Sequence, residues 1–430
     1  MNSKALKSKK LAFLLLIITS MARVAFVDDL AEEAPASPNK VTHGFKSAYP
    51  PACATSLFAS IITPYGYPVT SHRIVTEDGY ILTAFRIQAK HTNIVSGKKV
   101  IFLMHGLMCS ADDWVTNSPN LAPALYLADQ GYDVWLGNSR GNKYSTGHTN
   151  PKITAAEYWN FSFQQMGKYD VPANIKYVLG VTGKSKLTWI GYAQGTTQMF
   201  AALTDRVSTA YVNEKVDKLI SFSPVVYSAN EGTEELRIAA SKGGLLASTA
   251  KEYDQYLLLP GSCVKDKAFF KLTQYFCQKI FPGYCNNAIP LFDPDLSVDN
   301  LARIPYIAQH FPAGASVNCF LHFFQLVKQN RTRPVFQKFD YGASVNQKVY
   351  GQSTPPVYKL GNIKIPVSLF IGTKDPLGDM QDNEILYNDL ISKGVKVNRH
   401  FFTNWGHLTF LWMKDATELF AALKKELHSA

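Results

Sequence analysis

The sequence predicts an α/β fold, a mostly parallel central sheet interrupted by a helical cap insertion. Three observations predict it. Short apolar runs alternate with helical stretches, as expected of parallel strands covered on both faces. The alternation stops near residue 224 and returns near residue 360. The segment Leu187-Thr-Trp-Ile-Gly-Tyr-Ala-Gln-Gly-Thr196 reads as a strand that runs through a glycine-framed turn into a helix.

The chain has 430 residues and opens on an address rather than a structural element. Lys4, Lys7, Lys9 and Lys10 precede an apolar run over residues 11–18, and Ser20-Met-Ala22 supplies small residues for cleavage. Residues 1–22 are therefore expected to be a signal peptide. The apolar run is too short for the roughly 20 residues that a bilayer-spanning helix needs. Losing its four lysines lowers the formal charge from +11 to +7. Residues 23–50 read as a flexible lead-in.

The first part of the core is expected over 51–223, with strands at 72–76, 81–87, 100–104, 133–136, 187–190 and 218–222. Helices are expected at 118–128, 168–182 and 196–203. The insertion spans 224–359, holds helical stretches at 267–280 and 317–328, and carries aromatic residues that include Phe320, Phe323 and Phe324. The second part of the core is expected over 360–430, with strands at 366–371 and 397–402 and a helix at 382–392. Such alternation indicates a parallel sheet with helices on its faces.

Composition narrows the classes. Hydrophobic residues make up 46% and charged residues 18%, a globular balance that disfavours disorder and fibrous structure. Beyond the leader no Lys/Arg run is dense enough to suggest nucleic-acid binding, although a mildly basic surface suits anionic lipid. The cysteines are Cys53, Cys109, Cys263, Cys277, Cys285 and Cys319. In a secretory protein some are expected to pair, and Cys277 and Cys285, flanking a Phe-Pro-Gly turn, are the best candidates. Neither C-x-x-C nor H-E-x-x-H spacing occurs, so no metal and no cofactor is expected. Asn160-Phe-Ser162 and Asn330-Arg-Thr332 are glycosylation sequons.

The chemistry turns on the glycine-framed turn. Gly191 and Gly195 match the G-x-S-x-G nucleophile elbow, whose centre here is Ala193, without an Oγ to attack an ester carbonyl. The acid and base of such a site follow the nucleophile in chain order. Asp375, at the carboxyl end of a strand, is the candidate acid, with Asp379 as runner-up. His407, in Asn404-Trp-Gly-His-Leu-Thr-Phe410, is the candidate base. Phe102-Leu-Met-His-Gly-Leu107 is an apolar strand ending where an oxyanion-hole donor arises, so the donors would be the main-chain N–H groups of Leu107 and Gln194. Gly137-Asn-Ser-Arg-Gly141 also fits the elbow pattern, but a turn-rich loop follows it instead of a helix, which argues against Ser139.

Taken together these segments resemble the acid lipase family of α/β-hydrolases, the gastric and lysosomal type, over nearly the whole mature chain. The landmarks are Val75-Thr-Glu-Asp-Gly-Tyr80, His105-Gly-Leu107 with Asp113-Trp114, Gly131-Tyr-Asp-Val-Trp-Leu-Gly-Asn-Ser-Arg-Gly-Asn142, Trp159-Asn-Phe-Ser-Phe163 with Lys168-Tyr-Asp170, and His310-Phe-Pro-Ala-Gly314. The resemblance implies an α/β-hydrolase fold and a secreted or lysosomal protein. It also implies hydrolysis of triacylglycerols or sterol esters by a Ser-Asp-His triad without cofactor. The departures cluster at the site: Tyr192 and Ala193 where the family resembles G-H-S-Q-G, Thr409 where it carries an acid, and Gln164-Gln165 where acidic residues are common.

The expected function is therefore a secreted or lysosomal, acid-lipase-like protein of lipid metabolism that binds lipid or a partner without catalysis. Its expected partners are lipid esters or fatty acids, with a membrane or lipid-droplet surface in reach and no nucleic acid. One alternative is a triacylglycerol or sterol ester lipase whose functional form carries serine at position 193. The other is a structural or storage protein on a lipase fold.

Overall fold

The central sheet takes its order from where each apolar run can find a partner. In the computed structural model, which describes residues 51–88, 99–252, 257–258 and 292–428, the chain enters through α1 (Pro51–Ile62). The strands β1 (Val69–Val75), β2 (Tyr80–Ile87), β3 (Val100–Met104), β4 (Asp133–Leu136) and the short β5 (Gly147–His148) follow, with α2 (Pro123–Asp129) before β4. Next come α3 (Val171–Thr182), β6 (Leu187–Tyr192), α4 (Gln194–Thr204), α5 (Thr209–Lys215) and β7 (Val216–Phe222).

The inserted stretch holds α6 (Glu234–Ser241), α7 (Gly243–Glu252), a two-stranded pair of β8 (Leu257–Leu258) with β9 (Ala315–Ser316), α8 (Val317–Val327) and α9 (Ala343–Tyr350). The core resumes with β10 (Val367–Gly372), α10 (Met380–Ser392), β11 (Val397–Phe402) and α11 (Thr417–His428). The proposed signal peptide, the lead-in, the helix expected at 267–280 and the Cys277–Cys285 pair lie outside the described residues.

The large sheet runs β1-β2-β4-β3-β6-β7-β10-β11, with β5 paired to β2. From β4 to β11 neighbouring strands are parallel, whereas β1, β2 and β5 pair antiparallel. Every residue of β3, β4, β6 and β10 is buried, which is why these strands read as continuous apolar runs. Phe102 stacks on Trp189 across β3 and β6 at 4.7 Å between ring centroids. After β3 the chain crosses to β4 on one side, then returns to place β6 on the other. The carboxyl ends of β3 and β6 thus flank a topological switch point, where open α/β sheets form their ligand crevice.

Two helix starts differ from expectation by three residues or more. The helix expected from 118 begins at Pro123, because a residue before proline is steered out of the helical region, and Ala122 is extended at φ −76, ψ 118. The helix expected from 168 begins at Val171, preceded by a π-helical turn over Met166–Asp170. No helix among the described residues is long and apolar enough to cross a membrane.

Candidate active site

The elbow is built by its glycines. A Cβ added at Gly191 would lie 2.6 Å from the Gly195 carbonyl carbon, and one added at Gly195 would lie 2.2 Å from the Met104 carbonyl oxygen. Only hydrogen fits at either place, so the strand can double back into α4 tightly enough to throw residue 193 forward. Ala193 sits at φ 47, ψ −117, a conformation that L-residues avoid and that costs on the order of 1–3 kcal/mol. The turn is held by main-chain bonds: the Ala193 N–H donates to Phe222 O at 3.1 Å, and Ala193 O accepts from the Thr196 N–H at 2.9 Å and the Thr196 hydroxyl at 2.7 Å. The whole nucleophile-presenting geometry is present around a methyl group.

Asp375 and His407 meet as their rank in the chain suggests. Nδ1 of His407 lies 3.0 and 3.1 Å from the two carboxylate oxygens of Asp375. Asp375 also accepts the N–H groups of Leu377 and Gly378, at 2.9 and 2.8 Å. Burial alone would raise its pKa, but the His407 charge and these donors outweigh it, and the carboxyl is held below the usual range. Asp379, the runner-up acid, instead caps α10, accepting the N–H groups of Gln381 and Asp382. Its role is accounted for by the helix start.

Two contacts at this pair had no signature in the sequence. The Ser223 hydroxyl, at the end of β7, donates to Asp375 and stands 2.6 Å from Nδ1 of His407. Ser223 too has a left-handed backbone, φ 48. The second contact comes from Tyr192, noted above only as a departure. Its hydroxyl donates to His407 O at 3.2 Å while its ring lies 5.3 Å from the imidazole, so the elbow itself braces the base.

The inserted stretch braces His407 from the other side. The His407 N–H donates to Phe292 O at 2.9 Å and the Leu408 N–H to Asp293 Oδ1 at 2.8 Å. Asp299 lies beside Asp293 and the Thr409 side chain. Burial raises the Asp293 carboxyl well above its usual value, with the Asp299 charge adding to it, and burial pushes Asp299 up to about 6. Thr409 itself accepts the Gly406 N–H at 3.1 Å.

The loop after β3 packs directly on the elbow. A Cβ at Gly106 would be 3.1 Å from Ala193 Cβ and 3.0 Å from the Tyr192 ring. His105 anchors the loop in one tautomer. Its Nδ1–H donates to Gly106 O at 2.8 Å, and its Nε2 accepts from the Ser139 N–H and the Asn142 amide at 3.0 and 3.1 Å. Burial lowers its pKa to about 4, which keeps this ring neutral. The N–H groups of Leu107 and Gln194 have no protein acceptor among the described residues.

Ser139 lies apart from this constellation. It is buried, its Oγ reaches only Met104 Sδ and the Gln198 amide at 3.5 Å, and its neighbouring Arg140 is clamped by Asp170 and Asp78. Among the described residues no group of three or more His, Cys, Asp or Glu side chains could hold a metal. Asn160 and Asn330 are exposed, whereas Ser162 of the first sequon is buried and caps a short helix. Cys109 and Cys319 are buried free thiols.

Residues 58–118 match a partial alpha/beta-hydrolase lipase region, and residues 99–413 match the alpha/beta hydrolase fold. Lipase lipl-1 of Caenorhabditis elegans is 35% identical, covering 82% of this chain and 86% of that protein. Gastric triacylglycerol lipase of Rattus norvegicus is 34% identical, covering 84% and 88%. Lysosomal acid lipase/cholesteryl ester hydrolase of Macaca fascicularis is 33% identical, covering 83% and 87%.

Proposed function

The chain belongs to the acid lipase family of α/β-hydrolases, and from that premise we propose that it is a non-catalytic member that binds acyl lipids. One observation carries the reading. A complete Asp375–His407 pair and a strained elbow surround a residue that has no nucleophilic atom. In a serine enzyme Nε2 of the base takes the hydroxyl proton, and the serine oxygen forms the acyl-enzyme. At Ala193 neither step has an atom to act on, and loss of the nucleophile in such a triad costs on the order of 10⁶ in turnover.

What survives is the part that recognises an acyl group: the two main-chain donors at Leu107 and Gln194 and the cap over residues 224–359. The relatives named for triacylglycerol and cholesteryl ester suggest long-chain acyl lipids as the ligand class. A signal peptide at 1–22 and glycans at Asn160 and Asn330 fit a secreted or lysosomal protein that meets lipid at a membrane or droplet surface.

The intact geometry of the Asp375–His407 pair favours a second reading, a triacylglycerol or sterol ester lipase whose functional form has serine at 193. The purified chain and its Ala193→Ser variant, assayed side by side on a fluorogenic long-chain ester at acidic and neutral pH, separate the two. Turnover by the variant alone means that acid, base and oxyanion donors are in working order and that the natural chain is silenced at one atom. Turnover by the natural chain refutes the non-catalytic reading. Saturable binding of a fluorescent fatty acid by the natural chain supports a ligand site over a storage role.

A further inference from the structure

We infer that the ligand at the elbow is a free fatty acid, whose carboxyl group stands where a serine hydroxyl would stand. The inference rests on the acyl-binding reading and narrows it. His407 is 95% buried in its surroundings, with 5% of its surface exposed, and its Nδ1 is committed to Asp375 and Ser223. Nε2, on the opposite edge of the ring, has no hydrogen-bond partner among the described residues. The N–H groups of Leu107 and Gln194 likewise have no acceptor among the described residues, one following Gly106, where an added Cβ would lie 3.1 Å from Ala193 Cβ, and the other opening the eleven-residue α4. Between them Ala193 presents only a methyl group.

A carboxyl group has the atoms to satisfy all three. One oxygen takes the two main-chain N–H groups, which a helix N-terminus also favours electrostatically. The other oxygen shares a proton with Nε2. Drawn as a neutral acid on a neutral imidazole or as a carboxylate on an imidazolium, the pair holds one proton on that line and the same net charge. No covalent bond forms or breaks.

An ester has no such proton. Its alkoxy oxygen would face the Nε2 lone pair, so an ester covers that acceptor without supplying a donor, an arrangement that weakens binding. A serine at 193 reverses the preference, because its own Oγ–H would occupy Nε2 and exclude the acid's oxygen. The substitution that removes hydrolysis is thus the one that turns the site toward the hydrolysis product.

Equilibrium binding of radiolabelled oleic acid and of methyl oleate, to the natural chain and to Ala193→Ser, tests this, with ester cleavage followed in the same samples and folding checked by urea unfolding. The natural chain is expected to bind oleic acid at least tenfold more tightly than methyl oleate, and Ala193→Ser is expected to lose at least tenfold in affinity for the acid. Equal binding of acid and ester, tighter binding of the ester, or an unchanged acid affinity in Ala193→Ser overturns the inference while the acyl-binding reading stands. Saturable binding of neither ligand overturns both.

Discussion

The Ser223 hydroxyl stands 2.6 Å from Nδ1 of His407 and also donates to Asp375, so Asp375 and His407 form a trio closed by a residue from a third strand end. A hydrogen bond to a charged group contributes about 1.5–3 kcal/mol, and Ser223 holds this one from a left-handed backbone. Ser223→Ala is expected to lower unfolding stability by about 1–3 kcal/mol, since it loses the bond and keeps the strain. Ser223→Gly loses the same bond but relieves φ 48, so it is expected to be about 1 kcal/mol the more stable of the two. Urea unfolding of the pair is the measurement, and the opposite order would remove backbone strain from the account.

The same reasoning applies to the elbow. Ala193→Gly keeps the turn and removes the Cβ that φ 47 disfavours. The strain relieved, about 1–3 kcal/mol, exceeds the roughly 0.4–1 kcal/mol of chain entropy that glycine costs, so the variant is expected to be the more stable by up to about 2 kcal/mol. A loss of stability would mean that the Ala193 methyl packs well enough to outweigh its strain.

Asp293 and Asp299 make the anchorage of the His407 loop sensitive to pH. Both carboxyls are raised, Asp299 to about 6, so the folded protein holds protons that the unfolded chain releases. The sign follows: this contribution is fully present below the unfolded carboxyl value near 4 and is lost as pH rises through about 6. Asp299→Asn removes the penalty. It is expected to be more stable than the natural chain at pH 7.5, by roughly 1–3 kcal/mol, with the gap shrinking at pH 4.5. Urea midpoints at the two pH values check this.

A buried ion cluster ties the inserted stretch to the core. Asp112 accepts from Lys143 Nζ and the Tyr144 hydroxyl, both at 2.7 Å, and lies 2.9 Å from Nδ1 of His310, while Lys143 Nζ also donates to His310 O at 2.9 Å. Asp112→Ala leaves the Lys143 charge buried without its partner, and is expected to cost about 3–5 kcal/mol. Circular dichroism during urea unfolding measures it, and a loss under 1 kcal/mol would show that water reaches the cluster, by roughly the measure of exposed ion pairs.

Several features were legible in the chain because their physics is local. The strand at 100–104 reads directly from five consecutive apolar residues, and Gly191 and Gly195 announce the elbow because nothing larger fits there. Asp375 and His407 were singled out by chain order at strand ends, and their side chains meet in the structure. Asp379, four residues on from Asp375, stayed a runner-up along the sequence, since an acid before a helix serves as a cap as readily as it serves an imidazole. In the structure Asp379 bonds the helix start and Asp375 bonds His407.

By itself the sequence determined the alternation of strands and helices, the order of the candidate site residues, and the absence of a hydroxyl at position 193. These follow from periodicity, glycine sterics and residue identity, which need no partner distant in the chain. Only the tertiary structure decided that Ser223 joins Asp375 and His407 from 152 and 184 residues away. It also decided that Tyr192 braces His407 from 215 residues away, and that Ser139 is buried next in the chain to an arginine paired with Asp170. Those contacts form because a parallel sheet gathers its carboxyl ends at one edge, and the residues found there are neighbours in space without any spacing in sequence to announce them.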